Sequence, residues 1–262
     1  MTSLAIRVQT RAGRAVLAQL AHVGRFAAMV VDLARGLVEW RIWLPRTLHE
    51  SWNIGVGSLF IVLLISSFAG AVTALQAGYQ FTGNIPIYVV GSLVVESIVL
   101  ELGPVLVGLI LAGRIGARYA AELGTMRVTE QIDALESLGR APSSHLLIPR
   151  VLACVLMIPV LVVFADVIGI LSGWWAAKQA LPISDQDFTY GARVFWRPFD
   201  AWYSIIKGFF FAGAIGLISC YMGFTTKQGA EGVGKSTTGA VVVSSVLILL
   251  LDTILAKLLL HP

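Results

Sequence analysis

Glu96, Glu101 and Asp166 are carboxylates set inside long apolar runs, and Gly229-Ala-Glu-Gly-Val-Gly-Lys-Ser236 matches the phosphate-loop pattern G-x-x-x-x-G-K-[ST]. A carboxylate at membrane depth must be paired or face water or a cavity, so each marks either a transport path or a structural contact. Five residues apart, Glu96 and Glu101 point about 140° away from each other on a 3.6-residue helix, so they are not an acid/base pair. Pro104, just beyond Glu101, removes a backbone hydrogen bond and should loosen the helix there. Asp166 reads as structural, pairing with Lys207 or a backbone group, although Lys207 could instead reach toward the water boundary. A phosphate loop works between a β-strand and a helix in a soluble sheet; here both flanks are apolar runs, so a glycine-rich turn is the better reading. His22, His49, His145 and His261 are scattered, with neither metal-ligand spacing nor a Ser/His/Asp set. Cys154 and Cys220 lie in apolar runs and read as packing residues. No catalytic, cofactor-binding or metal-binding residue is assigned, and the chain is not expected to be an enzyme.

The elements that must position these residues are membrane helices. Hydrophobic residues make up 57% of the 262-residue chain and charged residues 13%, which excludes an ordinary soluble domain. Five segments reach the ~20 apolar residues that a bilayer core needs: Ile54–Gly78, Pro86–Gly113, Val151–Ala177, Ala201–Gly223 and Gly239–Leu260. Strand alternation is absent, so the expected class is an all-α integral membrane protein with five transmembrane helices. Arg and Lys concentrate before the first span and between the second and third, which predicts a cytoplasmic N-terminus and an external C-terminus. The net charge of +4 carries no suggestion of nucleic acid beyond that asymmetry.

Ahead of the spans, residues 7–46 pattern as one basic amphipathic helix lying on the membrane, with Trp40 and Trp43 near its end and Pro45 marking the turn into the first span. The domains expected are this interfacial segment (1–50) and a membrane domain (51–262). Thr73, Gln76, Tyr79 and Gln80 are polar positions in the outer half of the first span, where they serve either a ligand head group or helix–helix hydrogen bonds. Gly169 and Gly173 have the spacing of close helix approach. Trp196, Trp202 and Tyr203 read as an aromatic belt.

Between the second and third spans, Arg114, Arg118 and Glu122 recur at i, i+4, i+8. A short charged helix follows, with Glu130, Asp133 and Glu136 on one side and Val128, Ile132, Leu135 and Leu138 on the other. Such a helix fits a groove on a soluble partner, or is an ordinary surface helix.

Taken together, four stretches are similar to the MlaE/YrbE permeases, membrane subunits of ABC-type lipid transporters associated with MCE proteins. They are Glu101–Gly139 (ELGPVLVGLILAGRIGARYAAELGTMRVTEQIDALESLG), Ile148–Ala153, Phe164–Gly173 and Gly229–Leu247. The chain has Leu100, Lys235 and Gly239 where that family commonly has arginine. The resemblance implies a homodimer in a bacterial inner membrane, helping to maintain outer-membrane lipid asymmetry. It implies a coupling helix at about 125–139, with Arg127, Glu130, Asp133, Glu136 and Leu138 meeting an MlaF-like ATPase that binds the ATP. An external MlaD-like MCE protein and an MlaB-like STAS subunit are the other implied partners. Phospholipid is implied at Thr73, Gln76, Gln80, Phe81, Glu101 and Leu102. Two readings from other classes are a proton- or ion-coupled transporter using Glu96, Glu101 and Asp166, and a non-transporting scaffold for the ATPase and MCE subunits; the internal repeats usual in the former are absent.

Overall fold

The computed structural model describes residues 20–80, 85–227 and 229–260. All regular structure among them is helical, and five helices are long and apolar enough to cross a membrane. Helix α1 (residues 20–36) leads into α2 (Trp40–Gln80), α3 (Val89–Val128) and the short α4 (Gln131–Ser137). Then come α5 (Ser143–Ala180), the short α6 (Asp185–Val194), α7 (Pro198–Phe224) and α8 (Ala230–Leu260). The spans outrun the apolar segments in the sequence because hydropathy marks only the lipid-facing part, while the helices continue beyond it into polar surroundings.

The interfacial segment departs from a single helix over 7–46. Residues 7–19 lie outside the described residues, and the chain breaks at Leu37–Glu39, where Leu37 N–H donates to Leu33 and Glu39 N–H to Gly36. Gly36 lets α1 cross the start of α5, since a Cβ there would meet Ile148 Cδ1 at 2.8 Å. Pro45 therefore does not make the turn. It sits inside α2, where the carbonyl it leaves free, that of Arg41, lies in the first helical turn.

Glycines set the helix crossings. α2 meets α5 where a Cβ on Gly70 would collide with the Gly169 carbonyl oxygen, and Gly173 packs on Val94 and the Gly70 carbonyl. At the other face, α6 is clasped to the start of α3. A Cβ on Gly191 would strike the Tyr88 carbonyl, and one on Gly91 that of Phe188, while Ser92 Oγ donates to Gly191 O at 2.8 Å. The Ser184/Asp187 capping box starts α6. This helix lies inside the loop that the sequence left unstructured.

Helix α3 contains two π turns, Ile98–Leu102 and Ala112–Gly116, and a third, Ser143–Leu147, opens α5. Helix α3 ends at Val128, so the short helix expected over about 125–139 is confined to Gln131–Ser137. Glu130 separates α3 from α4 in the left-handed region (φ 59°) with an exposed side chain. A non-glycine residue there costs ~1–2 kcal/mol, against a smaller entropic cost for glycine. Glu130→Gly should therefore raise stability by about 1 kcal/mol, read as a higher thermal midpoint in detergent.

Candidate functional site

Two carboxylates inside the bundle, Glu101 and Asp252, converge on Lys207. Its ammonium donates to the Leu100 carbonyl at 2.8 Å and to Glu101 Oε2 at 2.6 Å, and forms an ion pair with Asp252 Oδ1 at 2.5 Å. The Lys207 Nζ lies over the Tyr203 ring, 4.7 Å from its centroid. The Lys207 side chain is fully buried, whereas that of Glu101 is 52% exposed in the single chain.

Local backbone chemistry explains why a lysine sits there. In an α-helix the Leu100 carbonyl would accept from residue 104, which is proline and has no N–H to give. The helix responds with a π turn, in which Gly103 N–H bonds Ile98 O, and the orphaned Leu100 carbonyl takes Lys207 instead. At 1.5 Å per residue, Lys207 lies about 14 Å from the start of α7, Glu101 about 18 Å from that of α3 and Asp252 about 12 Å from the end of α8. All three thus share one level of the bundle.

Asp166 does not pair with Lys207, and Lys207 does not reach for the boundary. Asp166 Oδ2 accepts from Ser204 Oγ at 2.6 Å, and Oδ1 presses on Gly103, where a Cβ would clash. Lys207 has two nearer carboxylates, which outweigh a third on another helix. Tyr203 is wholly buried against Lys207 and is not part of an aromatic belt, unlike the exposed Trp202. Glu96 is half-buried and stands apart from the cluster. Asp252, Tyr203 and Ser204 were missed by sequence reasoning. The signal for Asp252 was available, as the one acidic residue of Gly239–Leu260.

Among the residues expected to meet lipid, Gln76 and Gln80 are exposed at the α6 end of α2. Thr73 Oγ1 donates to its own helix at Ala69 O (2.8 Å), and Leu102 packs on the cluster of Ala74, Val94 and Ile98. Phe81 lies outside the described residues. Gln76, Gln80 and Glu101 present themselves outward.

At the opposite end, α4 is anchored by Ile132, which is fully buried, and by Leu135, both in a cluster with Met29, Leu33, Leu123 and Tyr221. Arg127 pairs with Asp133 and lies 6.0 Å from the Phe224 ring, tying the end of α3 to α4 and α7. Glu130, Asp133 and Glu136 are exposed, as the periodicity required. Leu138 is not on the buried side with Ile132 and Leu135: it follows the last turn and is 75% exposed. Val128 is half-buried. Beside this helix, Glu122 accepts from Arg118 at 2.6 Å and from Arg150 at 3.1 Å, linking α3 to α5.

The Gly229–Ser236 stretch is not a glycine-rich turn throughout. Gly229 alone has positive φ (89°), and Ala230 onward is helix, with Lys235 paired to Glu231. No strand precedes it among the described residues, so no cradle of amides for a phosphate forms.

Fold and site together define an all-helical polytopic membrane protein with an ionic cluster inside its bundle. Residues 47–258 match the family described as Permease MlaE, and the chain belongs to that family. It is 35% identical to a probable ABC transporter permease protein of Rickettsia felis, over 97% of this chain and 98% of that protein. A probable ABC transporter permease protein of Synechocystis is 36% identical over 79% of both chains. The protein TRIGALACTOSYLDIACYLGLYCEROL 1, chloroplastic, of Arabidopsis thaliana is 36% identical over 87% of this chain and 64% of its own length. The chain is thus a multi-pass permease subunit of an ABC transporter, a class that works with an ATPase and other partner subunits.

Proposed function

We propose that two copies of this chain form a permease that moves phospholipid between a bacterial inner membrane and an external MCE-domain partner, contributing to outer-membrane lipid asymmetry. The observation that carries the reading is the continuity of α3: one 40-residue helix joins the half-exposed Glu101, at mid-bundle, to α4 at the far end. ATP held by a separate MlaF-like subunit drives the cycle, and this chain needs no cofactor of its own. Glu130, Asp133, Glu136 and the protruding Leu138 meet that subunit, with Arg127 bracing α4 from behind. A push on α4 travels along α3 to Glu101 and Leu102, and the space between protomers, lined also by Thr73, Gln76, Gln80 and Phe81, changes shape. The α4 end faces the cytoplasm and the α6 end faces out, in keeping with the basic residues at 114–150. An MlaD-like MCE chain occupies the outer side, and an MlaB-like STAS subunit accompanies the ATPase. A lipid cargo agrees with the plant relative's name, which is that of a galactolipid.

Glu130→Lys combined with Glu136→Lys reverses two charges at the docking face and should cut lipid-stimulated ATP hydrolysis of the reconstituted complex by about tenfold. Unchanged stimulation would overturn the assignment of α4 as the coupling helix.

A further inference from the structure

The accessible positions of α3 form a strip. From Glu101 to Glu122 they come in pairs every four residues, with buried pairs between them. Regular winding would carry such a repeat about 40° round the axis at each step. The π turn at Ala112–Gly116 holds one residue more than that winding needs and takes back about 100° of the drift. One side of α3 therefore stays uncovered by its own chain from Glu101 to Arg114 and beyond, lined on the way by Val105, Leu106, Leu109 and Ile110.

Arg114 stands where this strip reaches the inner boundary of the membrane. It is the first charged residue after the apolar run Pro86–Gly113. About 20 Å of helix separates it from Glu101, close to the depth of one leaflet with its head groups. Helical side chains lean toward the N-terminus of their helix, and α3 runs inward, so the guanidinium leans back toward lipid, whereas a snorkelling arginine reaches for water. Its Nη2 lies 3.5 Å from where a Cβ on Gly57 would stand, and Gly57 is three residues inside the first apolar run, Ile54–Gly78. Gly57 and Gly113 are both exposed, and nothing lies within 4 Å of the Cβ position of Gly113. The guanidinium thus sits in a notch walled by bare backbone. Among the described residues it pairs with no carboxylate: Glu122 is taken by Arg118 and Arg150, and Glu50 accepts from Tyr119 and lies 3.9 Å from Arg118. A cation leaning into lipid without a partner requires an anion.

We propose that Arg114 holds the phosphate of a phospholipid from the inner leaflet, with the tails along Val105–Ile110, at the point where the cargo joins or leaves the transport path. The assignment rests on the lipid-transport reading above and adds to it a second station, one leaflet below Glu101. A guanidinium takes a phosphate through two parallel hydrogen bonds. A lipid without phosphate would cover the apolar strip and leave Arg114 unpaired, and a soluble anion would meet Arg114 and leave the strip bare.

The test is photocrosslinking of the full chain in detergent, with benzoylphenylalanine placed at Ile110 or, at the outer end of the path, at the exposed Gln76. The probes are radiolabelled dioleoyl phosphatidylglycerol and radiolabelled dioleoylglycerol, which has the same tails and no phosphate. At Ile110 the phospholipid should label about tenfold more strongly than dioleoylglycerol. Arg114→Gln, which removes the charge, and Gly57→Leu, which fills the notch, should each cut that labelling about tenfold, with labelling at Gln76 unchanged. Arg114 and Gly57 are exposed, so neither replacement disturbs a packed face. Equal labelling at Ile110 by the two lipids, no effect of Arg114→Gln there, or displacement of the phospholipid by inorganic phosphate would overturn the proposal. Labelling at Gln76 alone would overturn the inner station and leave the lipid-transport reading standing, and labelling at neither position would overturn both.

Discussion

Lys207→Met is expected to destabilise the protein by about 3–5 kcal/mol, the usual consequence of removing one member of a buried ionic group. Three groups lose their partner together: the Leu100 carbonyl that Pro104 leaves free and Glu101 lose a donor, and Asp252 loses its counter-ion. The two carboxylates are then left facing each other at one level of the bundle with no counter-charge. Thermal unfolding in detergent reads the loss directly. The informative comparison is the double variant Lys207→Met/Asp252→Asn, which removes a charge along with its partner and should recover part of the stability. If the single variant unfolds like the parent, the cluster does not hold α3, α7 and α8 together.

Gly70→Ala should lower stability by up to about 3 kcal/mol, because a single methyl group at that crossing meets the Gly169 carbonyl and backbone has nowhere to retreat. Gly213→Ala in α7 is the matched control: nothing lies within 4 Å of its Cβ position. It should be neutral or slightly stabilising, by the ordinary preference of helices for alanine. Equal behaviour of the two variants in thermal unfolding would show that α2 and α5 do not depend on this contact.

The five spans were legible because burial in lipid forces apolar runs of a fixed minimum length, and every one of those runs became a helix. Gly169 and Gly173 were legible for a related reason, since two helices cannot approach closely over larger side chains. The ionic cluster was not. Periodicity reports which face of one helix is polar, but pairing across helices depends on depth and rotation, so the sequence offers Asp166 either Lys207 or a backbone group, leaves Lys207 free to reach the boundary, and does not single out Asp252. Pro104 was recognised as a disturbance, yet what fills the vacancy it creates is a side chain 103 positions later. The α1–α2 break was misplaced for a similar reason. Proline is the stronger local signal, but Pro45 sits where a helix tolerates it and Gly36 makes the crossing. The charged side of α4 was readable from its spacing. The outward position of Leu138 was not, because the helix stops one residue before it.

Each π turn in α3 holds one residue more than the regular winding requires. Were the turn at Ile98–Leu102 to tighten into ordinary α geometry, the surplus residue would have to be passed along the helix, and the part beyond it would rotate by about 100° relative to the part before. Glu101 sits inside that turn and α4 hangs from its far end. Span two is therefore built like a screw with slack in its thread, able to convert a push along its axis into a twist where the carboxylate stands.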